Sequence, residues 1–162
     1  MRYWLMKSEP DEASIDHLAN APDRMLPWTG VRSFQARNFM RNDMQVGDGV
    51  LFYHSSCSVP GIAGLARVAG TAYPDATQFD PHSPYFDPKS QPERPRWYHV
   101  DVSFVTKPRL LPLAEMRTHD SLASMLVLRR GNRLSITPVQ PDEWAAVLDL
   151  LETQWPSASN GS

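Results

Sequence analysis

Cysteine is almost absent from this chain of 162 residues, which has Cys57 alone. A single cysteine excludes an internal disulfide, and such usage is typical of a reducing compartment. No apolar run approaches the ~20 residues of a membrane-spanning helix. The apolar stretch at the start of the sequence is also too short for a signal peptide. We therefore expect a cytoplasmic protein that does not associate with membranes.

The chain also lacks a strong charge of one sign. Its 16 basic and 18 acidic residues give a net charge of −2 at pH 7, so no global positive field indicates a nucleic-acid partner. Phosphate contacts need only a local basic patch, however. Arg37 and Arg41 lie four residues apart on a predicted helix, and Arg129, Arg130 and Arg133 form a second group. Both groups are candidates for binding phosphates; the alternative is an ordinary solvated surface.

Metal and catalytic signatures are weak. The five histidines are scattered without zinc-type spacing, so we expect no metal and no cofactor. Cys57 follows His54 by three residues, and a Cys–His pair can supply a nucleophile and a base. Both residues fall in one predicted loop region without an evident oxyanion hole or orienting residue. The sequence therefore predicts a non-catalytic protein, with a Cys/His enzyme as the less favoured alternative.

Short apolar segments bounded by turn residues predict a sheet with few helices. Strands are expected at 3–7, 50–53, 61–68, 97–105 and 133–139. Helices are expected at 15–19 and about 34–42, capped by Ser14 and Ser33, and from Pro141 onward. The absence of a regular βαβ repeat favours an α+β fold, in which a mixed sheet curls into a small β-barrel flanked by short helices.

One domain is expected over residues 1–155, followed by a disordered tail over 156–162. Within that domain, six prolines between residues 74 and 95 predict a long irregular loop. Loops of this length inside a compact domain are usually functional or mobile.

Three early segments place hydrogen-bonding side chains beside aromatic ones: residues 3–10 (YWLMKSEP), 28–39 (WTGVRSFQARNF) and 52–55 (FYHS). This combination suits a pocket that stacks and reads a flat polar ligand, such as a nucleobase. Trp28, in a Pro-flanked loop, is the first candidate for a stacking wall, although it would also fit as a core or rim residue. Tyr73, in a later turn, is either the second wall or a surface packing residue.

Polar side chains that suit a base edge follow the same segments. Lys7 and Ser8 come at a strand end, where they contact either a ligand or solvent. Gln35 and Asn38 share one face of the predicted helix, and each carries a donor and an acceptor. Their alternative role is to hydrogen-bond the preceding loop. Ser135, in an otherwise apolar strand, is a buried hydroxyl for the ligand or for the backbone.

In order along the chain, the sequence resembles the EVE domain, a PUA-like fold. The matching segments are 3–10, 28 with 30–32, 35–39, 47–48, 52–55, 60–62, 73–75, 85 with 87–90, 97 with 100–102, and 133–135. EVE domains are similar in fold to YTH domains, which bind a methylated adenine of RNA in an aromatic cage. The resemblance therefore implies recognition of a modified nucleobase in DNA or RNA.

The residues and the resemblance together define a candidate ligand site. Its members are Lys7, Ser8, Trp28, Arg32, Ser33, Gln35, Asn38, Tyr53, His54, Ser55, Tyr73 and Ser135. Two positions differ from the family pattern, because Ser33 stands where Asn is common and Phe34 where Tyr is common. If either side chain touches the ligand, the base preference of this chain will differ from that of its relatives.

We therefore predict a monomeric, non-catalytic module that binds nucleic acid carrying a modified base. DNA and RNA remain equally open at this point. The alternatives are a protein that binds a small nucleotide or metabolite, and a protein-interaction domain that uses the Pro-rich loop at 81–95.

Overall fold

The computed structural model describes residues 1–156, so the predicted disordered tail lies outside the described residues except for Pro156. The strands are β1 Tyr3–Ser8, β2 Met25–Pro27, β3 Gly49–His54, β4 Gly61–Val68, β5 Tyr73–Pro74, β6 Tyr98–His99, β7 Asp101–Thr106, β8 Leu111–Pro112 and β9 Ile136–Val139. The α-helices are α1 Ile15–Asn20, α2 Phe34–Asn38, α3 Leu113–Met116 and α4 Pro141–Leu150. None of the helices in the described part is long and apolar enough to cross a membrane.

Seven strands form one mixed sheet in the order β2–β7–β4–β3–β1–β9, with β8 beside β4. The β1–β3 pair is parallel, and the other pairs are antiparallel. The edge strands β2 and β9 do not pair with each other within residues 1–156, so the sheet is not a closed barrel. The predicted α+β class with a mixed sheet and short helices is confirmed, and the sheet stays open.

The central strands are buried on both faces, because helices and loops cover each side of the sheet. Trp4 and Met6 of β1 pack into one core with α1, whereas Leu5 packs into a second core with α4. This alternation follows from the two-residue period of a strand. Burial on both faces explains why these strands read as nearly continuous apolar runs.

Both predicted helix caps are confirmed. The Ser14 hydroxyl accepts a hydrogen bond from the His17 N–H at 3.1 Å, and the Ser33 hydroxyl accepts one from the Ala36 N–H at 3.4 Å. The predicted helix at 34–42 instead divides into α2 and a π-helical turn over Phe39–Asp43.

Two strand predictions differ from the observed strands. The predicted strand at 97–105 is interrupted at Val100, whose carbonyl accepts the Trp28 N–H at 2.8 Å. The last strand begins at Ile136 rather than at Arg133, so Ser135 precedes the strand instead of lying inside it.

The parallel β1–β3 pair brings distant segments of the sequence to one end of the sheet. Ser8 and His54 are opposite each other where the two strands end. The Ser55 N–H then donates to the Ser8 carbonyl at 2.9 Å, and the Lys7 N–H donates to the Ser135 carbonyl at 2.8 Å. Three segments that are far apart in the sequence therefore meet at this end of the sheet.

Candidate functional site

A cleft of about 1340 Å³ opens where β1 and β3 end. It brings together eight residues that the sequence predicted for ligand or phosphate binding: Lys7, Ser8, Trp28, Arg32, Ser33, Ser55, Arg133 and Ser135. These residues come from four separate stretches of the chain. The ends of β1 and β3 and the loop before α2 place them around the cleft.

Trp28 combines the two roles that the sequence left open. Its indole packs edge-on against Phe52, with ring centroids 5.3 Å apart and an interplanar angle of 78°. It is only 8% exposed and belongs to a buried core, yet both aromatic rings line the cleft. Trp28 is therefore a core residue whose accessible edge forms part of the cleft wall.

Lys7 is a basic residue that lines the cleft. Its side chain is half-buried, and burial lowers the pKa of its ammonium group. The nearest aromatic group is Tyr53, whose ring centroid lies 6.0 Å from Lys7 Nζ. Within residues 1–156, Nζ has neither a hydrogen bond nor a carboxylate partner. The neighbouring Ser8 hydroxyl already donates to the Ala13 carbonyl at 2.6 Å, which leaves its oxygen as an acceptor.

Asp75, buried to 1% exposure, holds the loop that forms one side of the cleft. One carboxylate oxygen accepts from the Gly30 N–H at 2.9 Å and from Arg32 Nη1 at 3.3 Å. The other accepts from the Thr77 N–H and hydroxyl at 2.9 and 2.5 Å. Burial alone would raise the pKa of Asp75, but the hydrogen bonds from Thr77 and Gly30 outweigh it and lower the pKa.

Arg32 is fully occupied by contacts within the protein. Nε and Nη2 donate to the Tyr85 carbonyl at 3.1 and 2.8 Å, and Nη2 also donates to the Thr77 hydroxyl at 3.1 Å. Nη1 donates to the Val31 carbonyl and to Asp75. These bonds account for every N–H donor that a guanidinium offers. Although it lines the cleft, Arg32 therefore connects two loops by hydrogen bonds and has no N–H group left to donate to a ligand.

Tyr85 is a cleft residue that sequence reasoning did not select. Its ring lies directly over Gly30, where a Cβ atom would come within 2.6 Å of Tyr85 Cζ. Its hydroxyl donates to the Glu12 carboxylate at 2.7 Å, and burial together with Glu12 raises the pKa of Tyr85 to about 12. Glu12 and Glu9 also line the cleft and were missed. The sequence signal that could have identified Tyr85 is an aromatic residue directly after Pro84. No spacing in the sequence, however, links Tyr85 to Gly30.

Three predicted ligand residues lie outside the cleft on other surfaces. Tyr73 donates its hydroxyl to Asp101 at 2.5 Å, so it does not form a second wall. Gln35 is exposed on α2. The Asn38 side-chain oxygen accepts from Arg37 Nη2 at 2.8 Å, which orients an arginine instead of reading a ligand.

Tyr53 and His54 do not line the cleft and have structural roles, although the Tyr53 ring lies near Lys7 Nζ. Tyr53 is 3% exposed in the core under α4. The Nε2 atom of His54 accepts the Ile15 N–H at the start of α1, at 3.1 Å. Cys57 is exposed, and no hydrogen bond joins it to His54 in the described chain. Residues 1–156 contain no cluster of three or more side chains able to hold a metal ion.

The predicted phosphate ligands separate into three places. Arg133 lines the cleft, whereas Arg129 and Arg130 are exposed beyond it. Arg37, on α2, and Arg41, on the π-helical turn that follows it, lie outside the cleft among aromatic rings. The basic residues therefore do not form one continuous patch around the cleft.

The role of His54 predicts a pH dependence of folding. Burial lowers the pKa of His54. The Asp16 carboxylate acts to raise this pKa and Lys107 to lower it, and the net shift is downward. An unfolded histidine binds a proton near pH 6.5, so the unfolded state takes up more protons than the folded state as the pH falls through this region. The stability that depends on neutral His54 is therefore present above pH 6.5 and lost as the pH falls.

We expect the urea midpoint of the His54→Gln variant to fall less between pH 7.5 and pH 5.5 than that of the wild type. Glutamine keeps an acceptor for the Ile15 N–H but does not titrate. Both proteins retain His99, whose pKa is also lowered by burial, so the difference between the two profiles isolates His54. Parallel profiles would contradict this role.

Comparison with known proteins places the chain among relatives of similar sequence and fold. The family model of the EVE domain matches residues 2–150. Human thymocyte nuclear protein 1 is 41% identical over 170 residues, which cover 94% of this chain and 75% of the human protein. A crystal structure of a Pseudomonas putida protein is 48% identical, with a TM-score of 0.87, and covers 92% of this chain and 99% of that one.

A crystal structure of human thymocyte nuclear protein 1 in complex with DNA containing 5-methylcytosine has a TM-score of 0.89 and 41% identity to this chain. The match covers 95% of this chain and 99% of that structure. The family match and these relatives agree over nearly the whole length, as the sequence resemblance predicted. The chain therefore belongs to the EVE domain family.

Proposed function

We propose that this chain is a non-catalytic module that binds DNA containing 5-methylcytosine and holds the modified base in the cleft where β1 and β3 end. The observation that carries the proposal is the composition of this cleft. Trp28 and Phe52 form an aromatic wall. Lys7 also lines the cleft, and its unpaired cation lies on the Tyr53 side of β1. A relative with the same fold was solved with DNA of this kind.

The cleft offers a partner for each polar group of a cytosine. Lys7 is a donor for the carbonyl oxygen or ring nitrogen on the base edge. The carboxylates of Glu9 and Glu12 are acceptors for the exocyclic amino group, as carboxylates are for cytosine in DNA grooves. The indole of Trp28 supports the flat base and its methyl group. Arg133, at the same cleft, suits a phosphate on either side of the base.

A base must leave its stack to reach such a cleft. Extrusion from a duplex costs a few kcal/mol, and stacking on an aromatic side chain returns about 1–3 kcal/mol. The cleft volume of about 1340 Å³ exceeds the size of one base and leaves room for the attached sugar and phosphates. Of the two nucleic acids that the sequence left open, we propose DNA. A cytoplasmic location and a monomeric state remain predictions from the sequence.

We expect fluorescence-polarisation titrations to show tighter binding to a single-stranded DNA with one 5-methylcytosine than to the same DNA with cytosine. Lys7→Met should weaken binding to the methylated DNA by about 10- to 100-fold, because a hydrogen bond to a charged donor contributes roughly 1.5–3 kcal/mol. Methionine retains the apolar stem, so the variant should fold normally. The matched control is Lys107→Met, since Lys107 is exposed and pairs with Asp16 outside the cleft.

Three results would contradict the proposal: no discrimination between the two DNAs, full affinity of Lys7→Met, or equal preference for a methylated RNA. Binding of free 5-methylcytidine monophosphate as tight as that of the oligonucleotide would support the small-nucleotide alternative instead. Mass spectrometry of DNA recovered after incubation should show an unchanged base and backbone, because a binding module does not alter its ligand.

A further inference from the structure

An exposed aromatic ring lies beside the cleft and belongs to neither core. Phe34, the first residue of α2, leaves 48% of its surface exposed. Its ring stacks on the buried Trp97, with ring centroids 4.8 Å apart and an interplanar angle of 19°. A single exposed apolar residue is ordinary on a protein surface. Its surroundings are what distinguish Phe34.

Arginine side chains gather around this ring. The guanidinium carbons of Arg37 and Arg96 lie 4.7 and 5.4 Å from the Phe34 centroid. Arg41, on the following π-helical turn, lies 5.6 Å from the ring centroid of Tyr98. We refer to this surface as the α2 face, which consists of Phe34, Arg37, Arg41, Arg96 and Trp97.

The positive charge of the α2 face is only partly balanced. Arg96 pairs with Asp87 at 3.3 Å, whereas Arg37 and Arg41 have no carboxylate partner within residues 1–156. Their donors go to neutral oxygens, including the Asn38 side chain and the Arg96 carbonyl. Burial, with repulsion from Arg41 and Arg96, lowers the pKa of Arg37. Guanidinium groups held together in this way form a local positive field that attracts anions.

The α2 face is continuous with the cleft. Ser33, which caps α2, lines the cleft, and Phe34 is the next residue. Below the surface, the Arg32 guanidinium lies 5.4 Å from the Trp97 ring and 5.5 Å from the Tyr85 ring. A row of flat groups therefore leads from Phe34 through Trp97 and Arg32 to Tyr85 at the cleft wall.

We propose that the α2 face binds the DNA nucleotides next to the captured base, with Phe34 stacking on a neighbouring base and the arginines contacting phosphates. This inference rests on the proposed function, because it concerns the same DNA strand. Extruding a base from its stack leaves its neighbours unstacked, and an aromatic ring beside basic groups is the arrangement that binds single strands without reading their sequence. The α2 face therefore contributes affinity, whereas the cleft contributes the preference for the modified base.

The test compares affinity, base preference and salt dependence in the full chain. Phe34→Ala should weaken binding about 10-fold for methylated and unmethylated DNA alike, because base stacking does not depend on the methyl group. Arg37→Gln/Arg41→Gln should weaken binding to both DNAs and reduce the slope of log K against log salt by about 1.4, since each phosphate contact to a single strand contributes about 0.7. In both variants the ratio of the two affinities should match that of the wild type.

Controls separate this inference from the proposed function. Lys107→Gln/Arg109→Gln removes two exposed basic residues outside the cleft and should leave the salt slope unchanged. Binding of 5-methylcytidine monophosphate should be the same in all α2-face variants and the wild type. If these variants keep full affinity and the wild-type slope while Lys7→Met loses binding, the α2 face plays no part and the cleft proposal stands. If the wild type lacks a methyl preference but the variants still lose affinity and slope, the cleft proposal fails and the α2 face stands.

Discussion

Replacing Asp75 with asparagine is expected to lower the free energy of unfolding by about 3 kcal/mol, because it breaks a buried ion pair and leaves the Arg32 guanidinium unpaired. Both carboxylate oxygens of Asp75 accept hydrogen bonds from N–H or O–H donors. Whichever way the asparagine is oriented, its NH₂ group faces a donor. The change conserves shape and volume, so the loss reports the hydrogen bonds and the charge.

Urea unfolding at pH 7.5 measures this effect. Asp80→Asn is the matched control, since Asp75 and Asp80 flank the 3-10 turn Ala76–Phe79 on its two sides. Asp80 is exposed and accepts one backbone hydrogen bond from His82 that asparagine can keep. A change within about 0.5 kcal/mol is expected there. Binding of methylated DNA should also weaken in Asp75→Asn, because Gly30 and Arg32 line the cleft. An Asp75→Asn protein as stable as Asp80→Asn would contradict the central role of this carboxylate.

The Gly30→Ala variant should lose stability for two separable reasons. Gly30 has φ of +91°, a left-handed conformation that costs an L-residue roughly 1–2 kcal/mol. The added Cβ would also meet the Tyr85 ring at 2.6 Å, and overpacking of this kind typically costs about 1–3 kcal/mol. Because Tyr85 must move, affinity for methylated DNA should fall together with stability.

Two controls separate the backbone strain from the clash. Gly131→Ala shares the left-handed conformation, with φ of +81°, but its Cβ meets nothing within 4 Å. It should lose only the cost of the backbone conformation. In a Tyr85→Ala background the clash is absent, so Gly30→Ala should then cost about as much as Gly131→Ala. If Gly30→Ala lowers the free energy of unfolding equally with and without Tyr85, the ring does not clash with the new methyl group.

The sequence predicted local features of the fold well, because they depend on nearby residues. Ser14 and Ser33 were identified as caps from their side chains and position, and both make the expected hydrogen bonds. Strand β4 was predicted at its observed bounds from a segment of small and apolar residues. The helix predicted from Pro141 onward is α4, and its Trp144 and Val147 are buried.

The cleft was harder to predict, because it depends on contacts between residues that are far apart in the chain. Nothing in the sequence links Tyr85 to Gly30 or Asp75 to Arg32, yet these pairs form one side of the cleft. His54 was a candidate for the ligand site because it ends a strand. It instead accepts a hydrogen bond from the start of α1. The end of a strand indicates where a side chain lies but not which way it points.

The contacts of Arg32 and Asp75 also bear on how fast a ligand binds. They hold the Pro-rich loop against the chain before any ligand arrives, since all of their hydrogen bonds are made within the protein. The conformational entropy of this loop is therefore lost during folding and not during binding, which favours preorganised recognition. Association should then be limited by diffusion and by base extrusion rather than by loop closure.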